Sequence, residues 1–358
     1  MNLQSRPLPP RFRAIAAVLC ACLAAGVLAG ACSAARQPVG GPAAELSPGG
    51  SAAWSGPAAV GSAPPSSQRP PVVPGSPAAS SEAIAAASET VVLVGAGDIA
   101  DCGRLADAQA TAGLVRTLIA GRRGMVFTAG DNAYPNGSTR DFARCYDPTW
   151  GAVKKRTRPA VGNHEYNTPG AAGHFEYFGR AAGAPGRAWY AYNLGEWRIY
   201  VLNSTCSGAA SCRRGSAQER WLRADLAANP RQCVAAIWHH ARWSSGYHGS
   251  DSRTDALVGD LYAAGAELLV TGHDHHYERF APQRPDGRLD RVRGIREFVV
   301  GTGGGRLYPT FIPRPNSELR SNSTHGVLAL TLEPDGYAWR FVPTKAGGFT
   351  DEGSGVCH

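Results

Sequence analysis

The stretch MVFTAGDNAY, residues 125–134, decides how the rest of the chain is interpreted. Its first part, Met125–Thr128, is an apolar run that predicts a buried strand. A small residue ends the run, and Asp131 and Tyr134 follow at once. Sites in α/β sheets form just outside the carboxyl ends of the strands. We therefore predict that these two side chains belong to a site.

Four further segments repeat this arrangement, because in each an apolar run ends in a small residue or a turn and ligand side chains follow. They are Gly97-Asp98, Gly162-Asn163-His164-Glu165, Trp238-His239-His240 and Gly272-His273-Asp274-His275-His276. With residues 125–134 they supply two Asp, one Asn, one Tyr and three His at predicted strand ends. This set is large enough to hold two metal ions.

The chemistry of this ligand set indicates a hydrolase. Carboxylate and amide oxygens combined with imidazole suit Fe, Mn or Zn better than Ca. One carboxylate must bridge if two ions share so few ligands. Two ions about 3.5–4 Å apart can hold the attacking and leaving oxygens of an in-line displacement, and they lower the pKa of the water between them. Such a pair of ions with its activated water suits the hydrolysis of phosphate esters.

Hydrophobic periodicity predicts an α/β (α+β) fold, a four-layer αββα sandwich of two mixed β-sheets flanked by helices, with the dinuclear metal site at the strand ends. Helices are expected at 104–120, 216–228 and 252–264, with Ser216 as an N-cap and Glu219 three residues later. Strands alternate with helices early and run antiparallel later. They are expected at 91–94, 125–128, 158–161, 187–193, 197–203, 234–238, 268–271, 295–300, 325–332 and 336–342.

The first 88 residues do not read as a folded domain. Residues 1–32 predict a signal peptide, because a polar start with three Arg precedes the apolar run 14–31. The end of that run resembles a bacterial lipobox with Cys32 as the lipidated residue; ordinary cleavage after Ala31 and an uncleaved anchor helix are the alternatives. Residues 33–88 are rich in Ala, Pro, Gly and Ser and predict a disordered tether. Residues 89–358 form the predicted catalytic domain, either secreted or anchored to the outer face of a bacterial cell membrane.

The cysteines support export. Of nine, Cys20, Cys22 and Cys32 lie in the N-terminal segment, and an even number remains for disulfides. A zinc knuckle is not expected, because no C-x-x-C pair is present. The first predicted pair would link the loops after two ligand-bearing strands, and the last would hold the C-terminus. The six cysteines allow fifteen pairings, and among these we predict Cys102–Cys145, Cys206–Cys212 and Cys233–Cys357.

The charge balance is moderately basic, with a formal net charge of +8. Such a balance suits an anionic substrate or an anionic cell surface. A solvated, Arg-rich surface explains it equally well. No specific nucleic-acid binding is expected.

The order and spacing of the ligand segments resemble the calcineurin-like metallophosphoesterases, and within them the small purple acid phosphatases. The resemblance runs from about residue 92 to 280. It rests on Gly-Asp-Asn-x-Tyr at 130–134, Gly-Asn-His-Glu at 162–165 and Gly-His-x-His at 272–275. Large plant-type members carry a β-sandwich ahead of the catalytic domain. Here the tether stands in that place, so the single-domain form is the better comparison.

The resemblance implies seven ligands and two metal ions, iron with iron, zinc or manganese. The Tyr ligand separates purple acid phosphatases from most relatives, since tyrosinate stabilises Fe(III). The implied set is Asp98, Tyr134 and His275 at the first ion, Asn163, His239 and His273 at the second, and Asp131 bridging both. Taken singly, each of these residues could instead be a turn or cap residue.

The resemblance also implies two further site residues. His164 would lie beside the ions and protonate the leaving oxygen as a general acid. His248 occupies the position of a second active-site histidine. The spacing to Ser244 selects His239 rather than His240 as the ligand, although Ala241 replaces a common Pro. A buried carboxylate, such as Glu165 or Asp274, could orient a ligand histidine, and the sequence does not decide between them.

The function implied is an exported phosphatase that hydrolyses phosphomonoesters by attack of metal-bound hydroxide, with His164 assisting the leaving group. The expected partners are a phosphate-ester substrate and a membrane tether through lipidated Cys32. One alternative is a phosphodiesterase acting on nucleotides, phospholipids or wall polymers. Another is a catalytically silent surface protein that binds phosphate or a polymer.

Overall fold

The computed structural model describes residues 90–358, and the predicted signal peptide and tether lie outside these residues. The strands are numbered in chain order. They are β1 (Val91–Ala96), β2 (Ala100–Asp101), β3 (Gly124–Ala129), β4 (Ala133–Tyr134), β5 (Thr157–Ala160), β6 (Tyr190–Leu194), β7 (Trp197–Val201), β8 (Cys233–His240), β9 (Leu268–Gly272), β10 (Tyr277–Phe280), β11 (Arg296–Val300), β12 (Ser317–Ser321), β13 (Gly326–Leu332), β14 (Gly336–Pro343) and β15 (Asp351–Val356).

The helices cover the outer surfaces and the connections. The α-helices are α1 (Leu105–Ile119), α2 (Thr139–Asp141), α3 (Ala172–Phe178), α4 (Ala217–Ala228) and α5 (Asp255–Ala263). Short 3-10 or π turns lie at Phe142–Tyr146, Trp150–Arg156, Glu165–Asn167, Pro169–Ala171, Gly179–Ala182, Gly208–Ala210 and Ser252–Thr254.

Two mixed sheets form the centre of the fold. The first has six strands in the order β15-β14-β13-β1-β3-β5, and the second has seven in the order β12-β10-β11-β9-β8-β7-β6. In the first sheet β1, β3 and β5 run parallel. In the second, β7, β8, β9 and β11 run parallel. The carboxyl ends of parallel neighbours lie at the same edge of a sheet, so the residues that follow these strands are brought together.

The alternation of side chains along β8 shows how the layers pack. Ile237 faces an apolar cluster between the sheets that also contains Leu93 and Phe127 from the first sheet. Its neighbour Trp238 faces a second cluster, which includes Leu222 of α4 and residues of α5. Both faces of β8 are therefore buried, as expected for a strand that reads as a continuous apolar run. With α1 against β1, β3 and β13, the predicted αββα order is confirmed.

Sequence patterning missed β2, β4, β10, β12 and β15, and the last two of these are polar. β12 reads SELRS and β15 reads DEGSGV, so neither shows apolar alternation. Each is an edge strand whose hydrogen bonds to its neighbour define it. The predicted helix 252–264 begins at Asp255, after a 3-10 turn. The predicted N-cap is confirmed, because the Ser216 hydroxyl accepts a hydrogen bond from the Glu219 amide at 3.2 Å.

All three predicted disulfides are present. The pairs are Cys102–Cys145, Cys206–Cys212 and Cys233–Cys357. The last joins the C-terminus to the start of β8. Between residues 90 and 358, no helix has the length and apolar character needed to cross a bilayer.

Candidate metal centre

The site lies where the parallel strands of both sheets end. From the first sheet, Asp98 follows β1, Asp131 follows β3 and Asn163 follows β5. From the second sheet, His239 lies at the end of β8 and His273 follows β9. The remaining two predicted ligands come from β4 and from the turn after β9. The topology thus collects all seven at one place.

Three of these residues adopt left-handed backbone conformations. The φ angles are 59° at Asp98, 47° at Asp131 and 68° at His273. For residues other than glycine this costs of the order of 1–3 kcal/mol each, and it is found mainly at functional sites. Hydrogen bonds between the loops that carry Asp98 and Asp131 stabilise these conformations. The Asp98 amide donates to the Gly130 carbonyl at 3.1 Å, and the Ile99 amide donates to the Asp131 carbonyl at 2.9 Å.

Two of the preceding glycines permit close approach of ligand carboxylates. A Cβ atom on Gly162 would lie 2.1 Å from Asp131 Oδ1, and one on Gly272 would lie 2.5 Å from Asp98 Oδ2. Either contact is shorter than van der Waals packing allows. Gly162 and Gly272 are therefore packing requirements of the site.

One group of ligand atoms surrounds the Tyr134 hydroxyl. It donates to Asp98 Oδ1 at 2.8 Å and lies 3.1 Å from His275 Nε2. His275 Nε2 also lies 3.1 Å from Asp98 Oδ1. The other ring nitrogen, His275 Nδ1, lies 2.7 Å from the Arg306 carbonyl. Since a carbonyl only accepts, a neutral His275 ring carries its proton on Nδ1 and presents a bare Nε2.

A second group surrounds His239 Nε2. This atom lies 3.0 Å from Asn163 Oδ1 and 3.2 Å from both His273 Nδ1 and Asp131 Oδ2. Its partner nitrogen, Nδ1, lies 2.8 Å from the Ala129 carbonyl, which again places the ring proton on Nδ1 in the neutral form. In that form, lone pairs of nitrogen and oxygen face one another in a buried place.

Asp131 joins the two groups. Its Oδ2 atom lies 3.2 Å from the Tyr134 hydroxyl and 3.2 Å from His239 Nε2. Ligand atoms of Asp131, His239 and His273 all lie within 4.8 Å of one another. Convergence of buried lone pairs is unfavourable unless positive charge lies among them. The donor set therefore fits two cations that share one carboxylate.

The electrostatics agree with this need for positive charge. Burial opposes ionisation of Asp131, but His239 and His164 hold its pKa below the ordinary value. Burial alone would lower the pKa of His239, yet Asp131 and Asp98 raise it to about 9. Burial and the same two carboxylates raise the pKa of Tyr134 far above its usual range. The Tyr134 hydroxyl therefore stays protonated unless a cation offsets both carboxylates.

His164 lies beside the ligands with one ring nitrogen free. Its Nδ1 lies 2.7 Å from the Pro135 carbonyl, and its Nε2 lies 3.9 Å from Asp131 Oδ2. The His164 amide donates to Asp131 Oδ1 at 2.9 Å. The side chain is 34% exposed. Its free nitrogen thus points toward the centre, and the ring remains open to solvent and substrate.

His248 lies on the solvent side of the second group. Its exposed ring is 4.2 Å from the His273 ring, measured between centroids. Its amide donates to Asp274 Oδ1 at 2.7 Å, which fixes the turn that carries it. The structure thus places His248 next to the site, and its catalytic role remains a prediction.

Neither buried carboxylate that the sequence suggested contacts a ligand imidazole within residues 90–358. Glu165 instead accepts hydrogen bonds from the amides of Asn132 at 2.7 Å and Gly162 at 2.8 Å. It therefore ties the loop after β3 to the loop after β5. Burial raises the pKa of Glu165 to about 7. Asp274 supports the His248 turn, and backbone carbonyls orient His239 and His275.

The histidines adjacent to the predicted ligands have other partners. His240 Nδ1 lies 2.9 Å from Ser204 Oγ. His276 Nε2 lies 3.0 Å from Glu278 Oε2. Both side chains are buried, and both contribute to the local packing. The structure therefore brings His239, and not His240, against Asp131.

Sequence reasoning missed one aromatic residue at the centre. The Tyr308 ring stacks on the ligand-candidate ring of His275, with centroids 4.0 Å apart and planes 8° apart. The loop Gly301–Gly305 precedes Tyr308 along the chain, and the Gly305 amide donates to the Asp98 carbonyl at 2.8 Å. That glycine run was the available signal, because it delivers Tyr308 to the site.

Comparison with known families agrees with this geometry. The family model described as calcineurin-like phosphoesterase matches residues 78–277, more than half of the chain. The chain belongs to the calcineurin-like phosphoesterase family. Members of this family typically bind two metal ions, and a candidate group for metal binding is present here. The family match therefore agrees with the candidate metal centre described above.

Two curated relatives narrow the comparison. Purple acid phosphatase 15 of Arabidopsis thaliana is 26% identical over 247 residues, covering 59% of this chain and 45% of the relative. An uncharacterized protein of Mycobacterium tuberculosis is 27% identical over 235 residues, covering 52% of this chain and 43% of the relative. The chain thus spans less than half the length of either relative.

A solved structure supports the same fold. A purple acid phosphatase from yellow lupin (Lupinus luteus) seeds superposes with a TM-score of 0.58 and 18% identity. The match covers 74% of this chain and 53% of the lupin chain. The resemblance to purple acid phosphatases that the motifs indicated is confirmed.

Proposed function

We propose that this phosphoesterase is a dinuclear-metal phosphatase that hydrolyses phosphomonoesters. One observation carries the proposal: Asp131 Oδ2 lies 3.2 Å from both the Tyr134 hydroxyl and His239 Nε2. A single carboxylate oxygen between two groups of ligands is the arrangement that two neighbouring cations require. Similarity to purple acid phosphatases supports a phosphate ester as the substrate.

The proposal assigns the ligands as follows. Two cations, iron with iron, zinc or manganese, would supply positive charge for the phosphoryl oxygens and lower the pKa of water. Tyr134 favours Fe(III) at the first site, since only a strongly charged cation offsets the two carboxylates that keep its hydroxyl protonated. Asp98, Tyr134 and His275 would hold the first ion. Asn163, His239 and His273 would hold the second, and Asp131 would contribute to both sites.

In the hydrolysis, a protein side chain supplies the proton for the leaving group. A water oxygen forms the new bond to phosphorus, the ester P–O bond breaks, and inorganic phosphate and an alcohol result. His164 donates the proton that the departing oxygen needs. The Pro135 carbonyl holds His164 Nδ1, so the proton is delivered from Nε2, the nitrogen that points toward the centre. His248 is proposed to contact the substrate from the solvent side, and no side chain forms a covalent intermediate.

Export is part of the proposal. Six cysteines in three disulfides support an oxidising compartment. The apolar run 14–31 supports a signal sequence, with lipidation of Cys32 giving a tether on the outer face of the membrane. Cell fractionation with intact-mass analysis of the mature chain tests this. A chain found in the cytoplasm with an intact N-terminus would contradict it.

The activity test uses purified full-length protein with metal analysis. Turnover of phenyl phosphate is expected, and it should fall by roughly 100-fold or more in His164→Ala, because its basic leaving oxygen needs a proton and general acid catalysis contributes about 10²–10⁴-fold. A tyrosinate charge-transfer band in the visible spectrum would identify Fe(III) at Tyr134. His358→Ala, remote from the site, is the control and should retain wild-type turnover.

Two other results would replace the proposal. Turnover of bis(4-nitrophenyl) phosphate without turnover of the monoester would indicate a phosphodiesterase. Bound metal without turnover of either ester would indicate a phosphate- or polymer-binding protein.

A further inference from the structure

Three aromatic side chains stand together on the solvent side of the candidate metal ligands. We call Tyr247, His248 and Tyr308 the aromatic rim. Their ring centroids lie 5.2 Å apart for Tyr247 and His248, and 5.7 Å apart for each of the other two pairs. Tyr308 stacks on His275, and His248 lies over His273. The rim is therefore in direct ring contact with a candidate ligand of each proposed ion.

Hydrogen bonds fix the two loops that carry the rim. The Phe311 amide donates to the Ser245 carbonyl at 2.8 Å. The Arg314 amide donates to Ser245 Oγ, also at 2.8 Å. The Tyr308 amide donates to the His275 carbonyl at 3.0 Å. The loop 306–316 is thus tied both to the ligand turn and to the loop that carries Tyr247, and the rings keep their spacing.

The rim and its surroundings expose apolar surface at the mouth of a polar site. Tyr247 is 63% exposed, Phe311 is 55% exposed and Ile312 is 87% exposed. Half of the six large hydrophobic side chains exposed within residues 90–358 lie on these two loops. Exposed apolar surface concentrated in this way marks ligand-binding grooves.

We propose that the aromatic rim binds the organic group of the substrate, and that this group carries a planar aromatic ring. The proposal rests on the proposed phosphatase function and names its substrate class. A planar ring gains offset or edge-to-face contacts with the rim in addition to the burial of apolar area. An alkyl chain lacks those ring–ring contacts and gains only the burial of apolar area.

The test compares three phosphomonoesters with similar alkyl leaving groups: 2-phenylethyl phosphate, 2-cyclohexylethyl phosphate and ethyl phosphate. We expect full-length wild-type protein to prefer the phenyl ester over the cyclohexyl ester by roughly 5- to 10-fold in kcat/KM, the ratio that one aromatic pair supplies. Tyr247→Ala should lower this ratio toward one. Tyr247→Phe, which keeps the ring, should preserve it.

A binding measurement separates recognition from chemistry. Calorimetric affinities for 2-phenylethylphosphonate and 2-cyclohexylethylphosphonate, which are not hydrolysed, should show the same preference and the same loss in Tyr247→Ala. Val292→Ala is the control, because Val292 is 76% exposed but lies on another loop. It should leave both ratios at their wild-type values.

The possible failures are distinct. Hydrolysis of all three esters with no preference for the phenyl ester overturns the aromatic subsite and leaves the phosphatase function standing. A preference that persists in Tyr247→Ala overturns the role of the rim. Equal preference for phenyl and cyclohexyl esters over ethyl phosphate indicates a merely apolar subsite and also overturns the proposal. Hydrolysis of none of the esters overturns both the function and the inference.

Discussion

Two regions of the protein bury histidine, and they do so in opposite ways. At the strand ends, His239 and His275 each have a ring nitrogen within hydrogen-bond distance of a buried carboxylate, Asp131 and Asp98 respectively. In α3, His174 is equally buried, but neither of its ring nitrogens has a hydrogen-bond partner within residues 90–358. Its neighbours are the aromatic rings of Phe142, Phe175 and Phe178.

The difference separates a functional site from a structural one. Burial lowers the pKa of His174 to about 3, because no neighbouring charge compensates the lost hydration. At the strand ends, carboxylates reverse the effect of burial and raise the pKa of His239 to about 9. A buried imidazole is therefore not in itself evidence of a metal site. Ligand atoms of several residues that converge on one another are evidence of a metal site.

Removing the shared carboxylate of Asp131 should have the largest effect on the site at the strand ends. Asp131→Asn should lose at least about 100-fold in activity and at least one bound metal ion per chain, since even partners of ligands cost 10–100-fold when altered. Phosphate ester turnover and metal content per chain measure this. Asp286→Asn, at an exposed position, is the control. Unchanged metal content in Asp131→Asn would remove the shared-ligand interpretation.

Filling the space beside that carboxylate should have the next largest effect. Gly162→Ala puts a methyl group where Asp131 Oδ1 lies, so we expect a loss of roughly 10–100-fold in activity and about 1–3 kcal/mol in unfolding free energy. Gly113→Ala is the matched control. Gly113 lies in α1 with no atom near its Cβ position, and Ala should stabilise the helix by about 0.5–1 kcal/mol. A harmless Gly162→Ala would show that the Asp131 loop can move freely.

The buried carboxylate that ties the loops gives a sharper test of positioning. Glu165→Gln keeps the shape but replaces one acceptor oxygen by a donor facing a backbone N–H, so about 1–3 kcal/mol of stability should be lost. Activity should fall by about 10-fold, with metal content reduced less than in Asp131→Asn. Glu333→Gln, on an exposed side chain, controls for the charge change. Full activity in Glu165→Gln would mean that the loops hold their positions without it.

The smallest effect concerns His174 and appears only in acid. The unfolded chain binds a proton on this residue below about pH 6.5, whereas the folded chain does not until about pH 3. The unfolding free energy should therefore fall as pH drops through this window, by up to about 1.4 kcal/mol per pH unit.

His174→Leu should remove this contribution. Denaturant unfolding of wild type and variant at pH 7.5, 6 and 5 measures it, because the difference between the two proteins cancels the titration of other groups. Near neutral pH the two should differ by less than about 1.5 kcal/mol. An identical pH slope in both proteins would show that His174 reaches solvent or a partner.

Much of the fold and of the candidate site followed from local patterns. Apolar runs predicted β1, β3, β5, β8 and β9, and helical spacing predicted α1 and α4. Ligand residue types directly after those runs predicted which side chains would come together, since parallel strands end at a common edge. The pairing of six cysteines was also predicted, and the structure confirms it.

Other features could not be predicted from the sequence, because they depend on contacts with residues that are distant along the chain. β12 and β15 are strands only through hydrogen bonds to neighbours. Glu165 looked like a partner for a ligand histidine, but three backbone amides in the structure surround it. Tyr308 follows the glycine run 301–305, and only the structure shows that its ring stacks on His275.

By itself, the sequence determined the apolar strands that lead into the site and the ligand types that stand at their ends, because side-chain periodicity and turn chemistry act over a few neighbouring residues. The tertiary structure alone decided how distant groups face each other: that Asp131 touches both ligand groups, that Glu165 holds two loops, and that Tyr308 borders the site. Those contacts arise from packing two sheets together, and no local pattern records the outcome of that packing.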